Sequence, residues 1–138
     1  MILMQWLIDI MLELMWQSIY ARGIFIHRGD PNAIDFNAAS FTTDGAWHTL
    51  DLSAIVPQYA KGVCLSVLLK GNLVAKGFWF ARNGQAFGRN AFRGLTQIAN
   101  QVIALDGVVA VDTDRKIQYL FHNITWLQID VTVKGWWF

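Results

Sequence analysis

The feature that most restricts the fold of this 138-residue chain is a change of hydrophobic period at Gly23. Before Gly23, apolar residues continue around a helix and leave only a narrow polar stripe. After it, apolar and polar residues alternate in short segments that Gly, Asn and Asp separate. The sequence therefore predicts an N-terminal docking helix over residues 1–23 and a β-domain over residues 24–138.

The β-domain is predicted to be a sandwich of short strands. In LQIDVTVK, the residues Leu127, Ile129, Val131 and Val133 are expected to face inward, with polar residues between them facing outward. Segments such as KGN at 70–72 and DTDR at 112–115 are typical of turns. Strands are expected near 24–28, 46–52, 62–70, 73–82, 107–112, 116–122 and 125–134, with weaker patterns near 34–42 and 97–104. About eight strands with this spacing indicate an all-β fold, a β-sandwich or jelly roll.

The N-terminal segment MILMQWLIDIMLELMWQSIYARG is unusually apolar. Its polar residues recur every fourth position and so form one slanted stripe on a helix: Gln5, Asp9, Glu13 and Gln17. Only 15% of the chain is charged, against about 25% in ordinary domains, so either the solvated surface is small or partners cover part of the apolar surface. The predicted docking residues on the apolar face are Trp6, Ile10, Leu14 and Trp16.

This helix admits two other interpretations. A signal peptide is not expected, because no Lys or Arg precedes the apolar run and no small-residue cleavage site follows it. A membrane span fits the length, but Asp9 and Glu13 would then lie near the middle of the bilayer, at a cost of about 2.5–3.5 kcal/mol for an acid there. Docking on protein is the favoured prediction, and the membrane alternative stays open.

The segment GWWF at 135–138 carries three large aromatic residues. Gly135 interrupts the alternation and can form a bulge that turns the following side chains to another surface. Trp136, Trp137 and Phe138 either plug one end of the core or contact another subunit. Because three exposed rings would form an apolar patch, we predict that at least one of them lies at a subunit interface.

Motifs for catalysis, metals and nucleic acid are absent from the sequence. The net charge of +1 gives no footprint for nucleic acid. Cys64 is the only cysteine, which excludes an intrachain disulfide and is interpreted as a buried, inert thiol. Asp112 and Asp114 fit turn chemistry better than a Ca²⁺ loop. The histidines lack metal-ligand spacing, so we expect no enzyme activity, no metal and no cofactor.

The best candidate for a ligand surface is RNGQAFGRNAFRG, residues 82–94. Aromatic faces can stack on sugars, while arginine and amide groups bond hydroxyls. In the alternative interpretation, Phe87 and Phe92 anchor a loop to the core and the arginines are merely solvated. The candidate contact residues are Arg82, Asn83, Gln85, Phe87, Arg89, Asn90, Phe92 and Arg93.

Several motifs resemble a C-terminal domain of phage and prophage virion proteins of the tail-fibre-like kind: DGAWHTLDLSAIVP, KGVCLSVLLKG, FWFARNG and VDTDRKIQYLFHNITWLQIDVTVKGWWF. The likeness covers about residues 44–138. It implies a compact β-sandwich, similar to jelly-roll tips, that assembles as a homotrimer on a virion. No shaft repeat precedes the domain, so a small decoration protein is an alternative to a fibre tip.

The expected function is therefore that of a non-enzymatic virion structural protein, either a tail-fibre or receptor-binding tip or a capsid decoration (cement) protein. Its partners would be copies of itself, other virion proteins and a host-surface glycan or protein. The alternatives are a carbohydrate-binding β-sandwich module of a cellular or secreted protein, and a membrane-anchored β-domain.

Overall fold

The computed structural model describes the backbone of residues 2–20 and 23–138, and side chains over 2–15 and 23–138. Met1, Ala21 and Arg22 of the predicted docking segment lie outside the described residues, as does the side chain of Trp16. The described chain contains one helix and nine strands: α1 (Ile2–Tyr20), β1 (Phe25–His27), β2 (Phe36–Asn37), β3 (His48–Asp51), β4 (Gly62–Gly71), β5 (Gly77–Arg82), β6 (Phe92–Leu95), β7 (Ile103–Ala110), β8 (Lys116–Phe121) and β9 (Trp126–Trp137).

The strands form two antiparallel sheets. The first sheet has the order β1-β9-β4-β7, and β2 pairs with the same edge of β9 as β1 does. The second sheet has the order β3-β8-β5-β6. The prediction of a β-sandwich preceded by an N-terminal helix is thereby confirmed, while the finer jelly-roll interpretation stays a prediction.

The core lies between the two sheets. β4 alternates as predicted, because the side chains that its sequence assigns to one face are fully buried: Val63, Leu65, Val67 and Leu69. The second sheet contributes an aromatic cluster from β5 and β8, into which Phe41 packs edge-on against Tyr119 at 4.9 Å between ring centroids. Burial of this aromatic and aliphatic surface is the main stabilising term of the fold.

Three strand predictions were wrong. Residues 97–104 and 107–112 were expected to form two strands, but β7 is one strand over 103–110. β6 was missed, since its four residues include Arg93 and Gly94. The weak strand near 34–42 contains only β2, because the Asn37 side chain accepts a hydrogen bond from the N–H of Ala39 and starts a 3₁₀ turn.

β9 carries a bulge near its start that changes one predicted facing. A register shift against β4 leaves Leu127 as the extra residue, and its side chain is 52% exposed instead of facing inward. Trp126 takes the inner position and packs on Phe121 at 5.7 Å. The inward prediction for Leu127 was therefore wrong, although Ile129, Val131 and Val133 are buried as expected.

A second bulge lies close to the predicted one. Cys64 of β4 is paired with Gly135, and the next residue, Leu65, is paired with Val133, so Lys134 is the extra residue. β9 does not end there but continues to Trp137. A bulge of this kind changes which face the following side chains occupy.

Candidate binding surfaces

The surface of α1 is apolar and exposed. Every apolar side chain from Ile2 to Met15 is exposed, the least being Ile10 at 37% and the greatest Ile2 at 89%. Of the predicted docking residues, Trp6 is 57% and Leu14 is 59% exposed. The described part of α1 therefore presents its apolar side chains to the surroundings instead of packing them against the sandwich.

The predicted polar stripe of α1 makes specific hydrogen bonds. The side-chain amide of Gln5 donates to Asp9 at 2.9 Å, one turn further along the helix. The hydroxyl of Tyr59, from the β-domain, donates to the carboxylate of Glu13. The stripe thus links the helix to the sandwich. Among the residues that the structure describes, no helix reaches the combination of length and hydropathy needed to cross a membrane.

The aromatic residues after the second bulge take two different surroundings. Trp136 and Phe138 are half-buried and pack against the core. The ring of Trp137 lies against Phe25 of β1, with 4.5 Å between centroids. The backbone is tied down as well, since the N–H of Gly23 donates to the carbonyl of Phe138 at 3.0 Å. Two of the three predicted interface residues thus also serve the core, and the interface itself stays a prediction.

An apolar edge surrounds this end of the first sheet. β1 is the end strand of its sheet, and its region exposes Ile24 at 43%, Phe25 at 40% and Ile26 at 38%. Trp137 adjoins Phe25 on the outer face. An end strand with exposed apolar side chains is a surface that another chain can cover.

Residues 82–94 form a turn and a strand instead of one long loop. The turn after Arg82 is held by Gln118, whose amide donates to the carbonyl of Gln85 at 2.7 Å and accepts from the N–H of Gly84 at 3.1 Å. Gln85 in turn accepts from the backbone of Arg82. This half of the segment is therefore anchored on the outer face of the second sheet.

The two phenylalanines of the segment have opposite roles. Phe87 is 76% exposed and does not anchor anything in the core. Phe92 belongs to β6, and its ring packs edge-on against the buried ring of Phe78 at 5.1 Å. The anchoring interpretation thus describes Phe92 alone, and Phe92 and Arg93 lie in a strand. The other predicted contact residues that are exposed are Arg82, Arg89, Asn90 and Arg93.

A groove runs along the open edge between the sheets, beside this segment. Two cavities of about 540 Å³ each share Arg82 and Ala110 in their walls. Asn90 and Phe92 line one end, and Lys61 lies at the other end. The groove combines an apolar floor with scattered polar groups of both charges.

The carboxylate of Asp112 has a structural role next to this groove. One oxygen accepts from the N–H groups of Asp114 and Lys116, and the other accepts from the amide of Asn83 at 3.1 Å. Burial alone would raise the pKa of Asp112, but these hydrogen bonds and the charge of Arg82 bring it below its usual value. This is the turn chemistry that the sequence predicts for DTDR.

Cys64 lies on the outer face of the first sheet and is half-buried, so its assignment to the buried interior was wrong. The alternation of β4 explains this position, because its two neighbours Val63 and Leu65 face the core. Burial raises the pKa of the Cys64 thiol. Over the described residues, no group of three or more His, Cys, Asp or Glu is arranged to hold a metal ion.

One cavity was not predicted from the sequence. It has a volume of about 290 Å³ and lies on the outer face of the second sheet. Trp79 alternates with the buried Phe78 and Phe80, and this large aromatic at an outward position was the signal that could have revealed it. The walls are formed by Gly45, Trp47, Trp79, Gly88, Leu120 and His122.

No protein-family model matches this chain, and no curated protein sequence matches it.

Proposed function

We propose that this chain is a non-enzymatic structural protein of a phage virion, docked to its particle by α1 and assembled as a homotrimer. It would serve either as a tail-fibre or receptor-binding tip or as a capsid decoration (cement) protein. The virion assignment rests on the resemblance of residues 44–138 to domains of virion proteins.

The observation that carries the docking role is the exposed apolar surface of α1. A helix that is apolar nearly all round is stable in water only when something covers it. The described side chains at positions 2–15 meet this description, since their apolar members are all exposed. A socket in a neighbouring virion protein would bury them. The hydrogen bond between Glu13 and Tyr59 would then fix the angle at which the helix leaves the sandwich.

The β-domain is suited to act as the displayed body of such a protein. Among the described side chains, all residues of the buried core lie between Phe41 and Val133, so none comes from positions 2–15 of α1. A helical segment that adds nothing to the core can be occupied by a partner without a cost to the fold of the sandwich. The apolar edge at β1, beside Trp137, is a contact surface on which copies of the chain can meet around a closed axis.

The deciding experiment separates docking from folding. We expect a chain lacking residues 1–22 to retain the melting temperature of the β-domain and to be lost from assembled particles. In the full-length chain, Leu14→Asp should also abolish incorporation, because it places a charge on the apolar docking face. Ile98→Asp is the matched control, since Ile98 is 63% exposed on the β-domain and Leu14 is 59% exposed on the helix.

Two results would overturn the proposal. One is incorporation of the Leu14→Asp chain at the level of the Ile98→Asp control. The other is stable insertion of the full-length chain into liposomes as an integral protein, which would favour the membrane-anchored alternative. Neither result depends on whether the β-domain binds a ligand.

A further inference from the structure

We propose that the cavity between Trp47 and Trp79 binds one pyranose unit of a neutral saccharide. The cavity lies on the outer face of the second sheet, and the saccharide would lie with its apolar face against an indole. Trp79 projects outward from β5, and Trp47 lies just before β3. Both side chains are only partly buried, so their ring surfaces remain accessible from the cavity.

The size of the cavity follows from a glycine. Gly88, in the 3₁₀ turn before β6, lies where the two indoles converge. A Cβ atom added to Gly88 would lie 3.3 Å from Cδ1 of Trp79 and 3.5 Å from Cζ2 of Trp47. The absence of a side chain leaves a cavity of about 290 Å³. This is near the lower limit of small-molecule sites, about 300 Å³, and suits one sugar ring better than a chain.

The wall contributed by His122 supplies a defined polar group. Its Nδ1 accepts a hydrogen bond from the N–H of Gly77 at 2.8 Å. Burial lowers the pKa of His122, and the charge of Lys76 lowers it further. The imidazole is therefore neutral with its proton on Nε2, which can donate to a hydroxyl oxygen. The ring is also held edge-on to Trp79, at 4.9 Å between centroids.

This combination of groups matches the chemistry of a sugar. One face of a pyranose presents C–H groups that pack on an aromatic ring, while its hydroxyls accept and donate hydrogen bonds. Leu120 adds apolar surface beside the rings. One N–H donor and two indoles converge on this small cavity. A small number of convergent groups of this kind can fix the orientation of a small ligand.

Cavities lined by aromatic rings can also bind quaternary ammonium ions. The charges around this cavity argue against such a ligand. Arg93 is the pairing partner of Trp79 on the neighbouring strand, and Lys76 is close enough to shift the pKa of the wall histidine. Both carry positive charge, which would repel a cation. Asp44 precedes the wall residue Gly45, and its carboxylate already accepts a hydrogen bond from the ring of His48 at 2.8 Å. A neutral ligand meets none of this repulsion.

The experiment uses the full-length chain labelled with ¹⁵N. Its tryptophan Nε1–H signals are followed during titration with the methyl pyranosides of glucose, galactose, mannose and N-acetylglucosamine, and separately with tetramethylammonium chloride. Trp47→Phe and Trp79→Phe assign the two cavity signals. We expect at least one pyranoside to shift both signals saturably, and tetramethylammonium to leave them unchanged.

Two variants test the position of the site. Gly88→Ala places a methyl group between the indoles and should weaken binding at least about tenfold. Ile98→Ala is the matched control, because this side chain is 63% exposed on the β-domain and does not line the cavity. Should Gly88→Ala fail to fold, Trp47→Ala replaces it, since Trp47 lies outside the paired strands and should lose binding.

The proposal would be overturned if none of the four pyranosides shifts the two signals, or if tetramethylammonium alone does so. Unchanged binding by Gly88→Ala, or by Trp47→Ala in its place, would equally overturn it. None of these results involves α1, so this site can fail while the proposed virion role stands, and the reverse also holds.

Discussion

Replacing Trp136 with Ala is expected to destabilise the β-domain much more than the same change at Trp137. After the bulge at Lys134, Trp136 is paired with Val63, whose side chain is fully buried on the inner face. Trp136 accordingly packs against the core. Trp137 is on the opposite face, where its main described contact is the ring of Phe25. Comparing the two substitutions therefore tests directly which face of β9 each tryptophan occupies.

The expected magnitudes follow from these contacts. An aromatic side chain can bury about 150–250 Å², which at about 25 cal/mol per Å² is roughly 4–6 kcal/mol when burial is complete. Trp136 is only half-buried, so its removal should cost about 2–4 kcal/mol, including the cavity left against the core. Removing the surface pair of Trp137 with Phe25 should cost about 1 kcal/mol.

Urea denaturation measures this difference. With a slope of about 2 kcal/mol per M, the midpoint should fall by roughly 1–2 M for Trp136→Ala and by about 0.5 M for Trp137→Ala. Measurement at several protein concentrations separates folding from assembly, because loss of an interface makes the midpoint less dependent on concentration. If Trp137→Ala destabilised as much as Trp136→Ala at every concentration, the assigned facing of the two rings would be wrong.

Three further changes test other parts of the structure. Gly77→Ala should lower stability by at least about 2 kcal/mol in thermal melting, because its Cβ would lie 1.7 Å from the carbonyl oxygen of Gly94. Leu127→Asn should change stability by less than about 0.5 kcal/mol, since the bulge leaves this side chain exposed. The pKa of Asp112 is lower in the folded chain than its ordinary value of 3.8, so its contribution to stability is complete above that value and is lost as the pH falls through the folded pKa. Asp112→Asn should therefore lower the melting temperature at neutral pH and flatten its decrease in acid.

The parts of the fold that were predictable are those that local alternation encodes. In β4 the alternation separates the two faces, since the apolar residues at odd positions 63–69 are all buried and the even positions 64–70 are half-buried. The same holds for Ile129, Val131 and Val133 of β9. A period of two over several residues requires one buried face, so the β-sandwich could be inferred without knowledge of the pairing partners.

The parts that were missed depend on contacts between distant segments. Gly107 was predicted to lie at the beginning of a strand, yet it lies within β7, where the ring of Phe92 occupies the space that a side chain would need. A Cβ at Gly107 would be 2.3 Å from that ring. The position of Leu127 in a bulge likewise follows from the register with β4, which the sequence of β9 alone does not specify. Such features require the partner strand to be known.

The candidate binding surfaces also differ in how far the sequence predicts them. The exposed apolar helix was predictable, because its composition is visible in one continuous segment. The tryptophan cavity was not, because Trp47, Trp79 and His122 come from three segments that only the pairing of the second sheet brings together. Segment 82–94 was predicted as a ligand surface from its composition, but part of it serves as an anchor: the ring of Phe92 packs on Phe78, and Gln118 holds the turn at Gln85.

Hydrogen–deuterium exchange of α1 is the most direct test of the central claim that this helix is held by a virion protein. The amides of residues 2–15 would be compared between the free recombinant chain and the chain in purified virions, with β4 as the internal reference. We predict rapid exchange of these amides in the free chain, strong protection in the virion, and the same slow exchange of β4 in both. Equal exchange of residues 2–15 in the two states would contradict it.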